Sequence, residues 1–303
     1  MLQPAPPILW RPMMLRPAMV EVFDGRACLL GEGPLWHPMR QQLFWFDIMG
    51  KRLLTRTADG PQHWPFDRHV SAAGWIDTDT LLIATETDLI RFDLRQGQGE
   101  RVMPLEDDTP ATRSNDGRAD PQGGFWIGTM GKHAELGAGA LYRFHRGELR
   151  QIRDGVTIPN ATCFAPDGRS AYFADTAAHL VWRYDLDADG WPMGEPAIYL
   201  DHRASGLNPD GAVVDANGTF WCAEWGAGRV AGYDGDGRLV DEIILPASQP
   251  TCPAFGGDDL QTLYVTSARQ GLPQDRLAHE ACAGQTFAIP MTVPGQAEHR
   301  VIL

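Results

Sequence analysis

The sequence predicts an all-β protein: a six-bladed β-propeller whose four-stranded antiparallel blades surround a central channel. Three observations carry the prediction. A short pattern returns six times, in which a large apolar or aromatic residue opens an alternation that ends on a polar or small residue. The copies are Phe44-Trp45-Phe46-Asp47, Leu82-Ile83-Ala84-Thr85, Trp126-Ile127-Gly128-Thr129, Tyr172-Phe173-Ala174-Asp175, Trp221-Cys222-Ala223-Glu224 and Tyr264-Val265-Thr266-Ser267. Their first residues are 38, 44, 46, 49 and 43 positions apart, the period of a four-stranded blade. Turn-forming residues precede most copies, among them Asp120-Pro121-Gln122-Gly123-Gly124, Pro166-Asp167-Gly168 and Asp215-Ala216-Asn217-Gly218. Asp, Asn and Gly supply the positive φ that tight hairpins need. A further alternating segment follows most copies, as in Leu89–Asp93, Ala140–Phe144, Val181–Asp185, Arg229–Asp234 and Gln285–Ile289, and reads as the third strand of each blade.

Along the chain, residues 1–17 hold five prolines and no continuous apolar run. They read as an N-terminal tail, neither a signal peptide nor a membrane span. Residues 18–303 form the propeller. Val20-Glu21-Val22-Phe23 alternates apolar and polar, and a propeller must close its ring to remove an open edge. The segment is expected to add a strand to the last blade, beside Arg300–Leu303. Asp187-Ala188-Asp189-Gly190 and Asp234-Gly235-Asp236-Gly237 mimic the start of a calcium-binding loop, but its later ligands do not follow in register. Both stretches fall just after a third strand and read as hairpin turns.

Composition excludes several functions. Lys+Arg 26 against Asp+Glu 39 gives a net charge of −13 over 303 residues, with no basic cluster to neutralise phosphates or anionic lipid headgroups. No nucleic-acid or membrane partner is expected. The five cysteines are far apart and odd in number, without a C-x-x-C pair. They read as free, buried thiols of a cytoplasmic protein. No G-x-S-x-G elbow or H-E-x-x-H pair is present, and the nine histidines are scattered. No long apolar surface stretch stands out, and a monomer is expected.

The chemistry emerges on counting back from the repeat. Glu32 lies 12 residues before Phe44, Asn115 11 before Trp126, Asn160 12 before Tyr172 and Asp210 11 before Trp221. Ser71, Thr251 and Cys252 occupy similar offsets in the other two blades. Equivalent offsets imply equivalent places, here the start of the strand nearest the channel, so Glu32, Asn115, Asn160 and Asp210 are expected at one channel mouth. Two carboxylates and two amides suit a hard or borderline divalent cation. On the residues alone a second reading stands beside this one: polar caps around a water-filled channel.

Leu30-Gly31-Glu32-Gly33-Pro34, Ser114-Asn115-Asp116-Gly117-Arg118-Ala119-Asp120-Pro121, Gly128-Thr129-Met130, Pro159-Asn160, Asn208-Pro209-Asp210-Gly211 and Phe255-Gly256-Gly257 resemble the motif set of the regucalcin (senescence marker protein)/gluconolactonase family. The resemblance covers nearly all the chain after residue 17. It implies one divalent metal, calcium first with zinc, magnesium, manganese or iron as alternatives, held by Glu32, Asn160 and Asp210. It implies a sugar lactone as substrate, Asp210 as catalytic base, and Arg113 and Asn115 as contacts to substrate hydroxyls. In some relatives a glutamate shortly after the Gly-Thr-Met motif touches substrate. Here that stretch reads Gly131-Lys132-His133, which makes Lys132 and His133 the candidate substrate contacts. The other functions compatible with this reading are a non-catalytic calcium- or ligand-binding propeller and a broader paraoxonase-like lactonase or esterase.

Overall fold

In each repeat, hairpin turns join short alternating strands into one antiparallel sheet. The Asp120 carboxylate shows how such a turn is made: its Oδ1 accepts the N–H groups of Gln122 (2.9 Å) and Gly124 (2.8 Å), and Asp215 does the same for Asn217 and Thr219. Asp187 and Asp234 likewise accept from their own turn amides, as expected of hairpin turns. The computed structural model describes residues 19–303. The proposed tail, 1–17, lies outside the described residues.

Six four-stranded sheets result. Their innermost strands are Gly31–His37, Val70–Asp77, Thr112–Ala119, Pro159–Phe164, Asn208–Val214 and Pro250–Gly256. The six repeat copies all fall in the second strands, from Gln42–Asp47 in blade one to Thr262–Ser267 in blade six. Burial falls off outward. Every residue of Gly31–His37 and Gln42–Asp47 is buried, whereas the outermost strand Gln98–Pro104 is mostly exposed. Among the described residues, only Thr176–Ala178 and Gln274–His279 are helical, and no helix is long and apolar enough to cross a membrane.

There is no single core. Apolar side chains gather in six clusters, one between each pair of neighbouring blades. Phe44, Phe46 and Leu53 of blade one, for example, meet Leu81, Ile83 and Phe92 of blade two. Each blade therefore buries its two faces only against its neighbours, which is why the sheets form a closed ring.

Ring closure follows the expectation in part. Glu21–Asp24 does complete the last blade, but its partner is Thr286–Pro290, with Glu21 opposite Ala288 and Val22 opposite Phe287. Arg300–Leu303 is not its neighbour. Once Glu21–Asp24 fills the free edge of Thr286–Pro290, later residues have no edge left to pair with. They run instead across the far end of the channel. There Gln296 Nε2 donates to Phe164 O and Val214 O, Val301 N–H to Trp75 O and Ile302 N–H to Gly123 O. Glu298, buried on this crossing, pairs with the buried guanidinium of Arg118 on blade three. The channel is thus open at one end, where the second strands finish.

Candidate active site at the channel mouth

The innermost strands share one irregularity near their starts. In every blade the register with the second strand slips by one residue: between Glu32 and Leu35, Val70 and Ala72, Ser114 and Gly117, Asn160 and Cys163, Pro209 and Ala212, and Pro250 and Pro253. A bulge of this kind leaves an extra residue unpaired and re-aims the side chains around it. In blades one and four the bulge opens on a left-handed residue, Gly33 at φ 53° and Ala161 at φ 57°. There the residue just before it, Glu32 or Asn160, faces the channel. In blades three and five no such residue occurs, and the first bulge residue itself, Asn115 or Asp210, does so. The four side chains do converge, but from two adjacent register positions rather than one equivalent place.

The amides are fixed by a continuous network. Asn160 Nδ2 donates to Thr176 Oγ1 (2.8 Å), whose hydroxyl donates to Pro209 O (2.6 Å). This leaves Asn160 Oδ1 toward the centre, where it accepts from Asn115 Nδ2 (3.2 Å). Asn115 Nδ2 also donates to Pro159 O (2.9 Å), and its Oδ1 accepts from Arg113 Nη1 (2.8 Å). Arg113 is buried, and its Nε has no protein partner. Burial lowers the Arg113 guanidinium to about 10, against the pull of the Glu32 and Glu86 charges, so it stays protonated at neutral pH.

Three carboxylates lie in this space, all buried: Glu32, Asp116 and Asp210. Glu32 Oε2 accepts from Gly33 N–H (2.9 Å), Asp210 Oδ1 from Gly211 N–H (3.1 Å), and Asp116 Oδ2 from Thr162 N–H (2.7 Å), an amide that the bulge of blade four leaves unpaired. Glu32 and Asp210 are within hydrogen-bonding reach of each other. Burial pushes both carboxyls up, and neighbouring carboxylates push them further. Burial also raises Asp116, against the Thr162 amide and the Arg118 charge. Glu32, Asp116 and Cys252 each bring one ligand atom within 4.8 Å of one another. Three carboxylates against the one guanidinium of Arg113 leave a net charge of −2 when ionised; Arg118 below is matched by Glu298. A divalent cation cancels that charge, and carboxylate with amide oxygen is a donor set such ions accept. The residues present fit the metal.

Above this floor a cavity of about 530 Å³ opens to solvent, lined by Glu32, Arg113, Asn115, Asn160 and Asp210 below and by Met130, Ile158, Trp225 and Gln249 among its walls. Blade two adds nothing, since Ser71 Oγ donates to Ser114 Oγ (2.8 Å). Lys132 and His133 are not brought to the lining. Lys132 Nζ is held by Glu86 and by Pro110 O, and His133 is exposed on a turn whose N–H donates to Glu135 Oε2. Ala134 is the residue that this loop presents to the cavity. Sequence reasoning missed Thr176, Asp116, Trp225 and Gln249. Asp116 stood inside a quoted motif, but only the bulge shows that Asn115 and Asp116 both reach the channel. Thr176 and Trp225 end or follow second strands, at the same end as the mouth.

A family model described as SMP-30/Gluconolactonase/LRE-like region matches residues 30–269. The chain is 36% identical over 273 residues to a 6-deoxy-6-sulfogluconolactonase of Pseudomonas putida, covering 89% of this chain and 94% of the relative. It is 35% identical over 278 residues to an L-arabinolactonase of Azospirillum brasilense, covering 89% and 91%. The crystal structure of a calcium-binding protein, regucalcin, from Agrobacterium tumefaciens superposes with a TM-score of 0.92 at 37% identity, covering 95% of this chain and 98% of that one.

Proposed function

Because the chain belongs to the SMP-30/gluconolactonase/LRE-like family, we propose that it hydrolyses the ring ester of a sugar lactone to the open aldonic acid, in sugar catabolism, with one divalent cation held by Glu32, Asn160 and Asp210. One observation carries the reading: the buried carboxylates of Glu32 and Asp210, with Asp116 buried beside Glu32, meet an oriented amide oxygen and a single guanidinium at the one open mouth of the channel. Sugar lactones are also what the names of the two sequence relatives specify.

When bound, the cation supplies electrophilic stabilisation to the charge that develops on the lactone carbonyl oxygen. Opposite charge favours the ionised carboxylate, so Asp210 is a base under those conditions. Its free oxygen takes a proton from the attacking water as the water oxygen bonds to the carbonyl carbon. The ring C–O bond then breaks, and the proton passes to the departing ring oxygen, which becomes a hydroxyl. Arg113, which lines the cavity, brings its positive charge to the substrate. Asn115 acts on Arg113, since its Oδ1 holds one Nη while both its own donors are occupied. Positioning of this kind lowers the entropy cost of reaction. Met130, Ile158 and Trp225 shield the site from bulk water on its apolar sides.

Acid release in a pH-indicator assay tests the proposal on glucono-, galactono-, xylono- and arabinono-lactone. Turnover above the spontaneous rate, lost on chelation and restored by cation, is the expected result. A cation-binding propeller without turnover is the second reading, favoured by the calcium-binding name of the Agrobacterium structure. Cation binding by calorimetry with no acid release on any lactone would establish it in place of the first.

A further inference from the structure

The cavity has a second half that the reaction at its floor does not use. Arg113 and Asn115 stand on blade three, and Gln249 stands across the ring at the start of blade six, with Asn208 and Trp225 on blade five beside it. Gln249 is only 6% exposed. Its Nε2 donates to Gln270 O (2.9 Å), which turns the amide so that Oε1, with no hydrogen bond from another described residue, is its free end. Asn208 repeats the arrangement: Nδ2 donates to Trp225 O (3.2 Å), leaving Oδ1 free. Two acceptor oxygens therefore line the side of the pocket opposite Arg113. The Trp225 ring adds an apolar plane that suits the C–H face of a sugar ring. The charge at this end is also informative. Among the described residues Arg113 is the only cationic side chain in the lining, and Glu32 and Glu86 already act on its charge.

We propose that Gln249, Asn208 and Trp225 form the specificity half of the pocket, reading the distal hydroxyls of a neutral, polyhydroxylated lactone and rejecting lactones that carry a phosphate or sulfonate there. Hydroxyl hydrogens find acceptors in the two amide oxygens. An anionic group brings only acceptor oxygens, and would face those same oxygens without a cation of its own. A site built to bond a substrate hydroxyl discriminates strongly against a ligand that cannot supply it. The inference rests on the lactonase reading for its substrate, and not for its binding geometry.

The test uses the full chain loaded with cation. Wild type, Gln249→Leu and Asn208→Ala are assayed on galactono-1,4-lactone, on glucono-1,5-lactone with and without a 6-phosphate, and on hydroxyl-free γ-butyrolactone. Each variant loses one hydrogen bond, so kcat/KM on the sugar lactones is expected to fall about three- to ten-fold, mainly through KM. The rate on γ-butyrolactone should stay within about two-fold, because a variant that merely disturbed the fold would lower both. The 6-phosphorylated lactone should be cleaved at least roughly a hundred-fold less efficiently than its neutral parent. Calorimetric binding of 1,5-anhydroglucitol, a neutral ring that cannot be hydrolysed, gives a readout separate from turnover. Weaker binding of this polyol by either variant, with no lactone cleaved by wild type, would keep the subsite and sink the lactonase reading. Equal losses on γ-butyrolactone and the sugar lactones, polyol binding that neither variant weakens, or a phosphorylated lactone that rivals its parent, would overturn the inference.

Discussion

Gly33→Ala tests whether the turn beside Glu32 is what aims this carboxylate. Gly33 sits at φ 53°, and a Cβ built there would lie 2.2 Å from the carbonyl oxygen of Ser71 and 3.1 Å from Phe46. Two separate costs follow. The left-handed conformation costs an L-residue about 1–2 kcal/mol. The overlap with backbone of blade two cannot be relieved by a rotamer change, and overpacking of this sort costs about 1–3 kcal/mol. Loss of glycine's freedom in the unfolded chain returns about 0.4–1 kcal/mol. The net loss is on the order of 2–4 kcal/mol, or roughly 3–6 °C in Tm for a chain of this size. Gly155→Ala is the control, since Gly155 has φ 63° and an added Cβ there meets nothing within 4 Å. It should cost about 1 kcal/mol, the conformational part alone. Calorimetric melting of both variants, with titration of calcium into each, separates the two costs. Gly33→Ala should melt well below Gly155→Ala and bind cation more weakly, because blade one can accept the methyl only by moving Glu32. Equal melting of the two variants with undiminished cation affinity would refute the argument.

Two further substitutions probe other layers of the channel. Asp210→Asn should leave Tm unchanged or higher, because a buried carboxylate is removed. Lactone turnover should fall by about 10²–10⁴, the usual contribution of a positioned base; near wild-type turnover would remove Asp210 from that role. Glu298→Gln should leave the buried guanidinium of Arg118 without its charge partner, at a cost of about 3–5 kcal/mol in urea unfolding. The double variant Arg118→Met, Glu298→Gln should recover most of that loss, and a double variant as unstable as the single would show that the pair is not the cause.

The fold was legible because a propeller repeats its physics. One polar turn, one buried strand and one half-buried strand recur at a period that only a four-stranded blade explains, so errors in any single copy do not matter. Ring closure was legible only in part. Val20–Phe23 announces a strand by its alternation, but alternation does not say which edge it will meet. The expected neighbour was Arg300–Leu303, yet Thr286–Pro290 is the strand that offers the free edge. The crossing beneath the channel depends on contacts far apart in sequence, such as Gln296 to Phe164 and Val214, and no local pattern encodes those.

At the mouth, the limit of the sequence is one residue wide. The offsets of 11 and 12 from the repeat brought Glu32, Asn115, Asn160 and Asp210 together correctly, yet they concealed two kinds of bulge. In blade one the left-handed residue is Gly33, and glycine signals its own conformation. In blade four the same place holds Ala161, which gives no sign of φ 57° in the sequence. A non-glycine residue held there carries strain that its surroundings must sustain. The strain lies directly beside Asn160, whose oxygen is aimed by Thr176 on one side and by Asn115 on the other. Blades two, three, five and six lack such a residue, and in blades two and six the hydroxyls at this level are tied into the ring by hydrogen bonds, Ser71 to Ser114 and Thr251 to Gly31 O (2.5 Å). The six-fold repeat supplies six similar positions around one axis, and the local choice of bulge and partner decides which of them face the channel. A symmetric scaffold thereby presents an asymmetric set of donors, with carboxylates on blades one, three and five and amides on blades three and four.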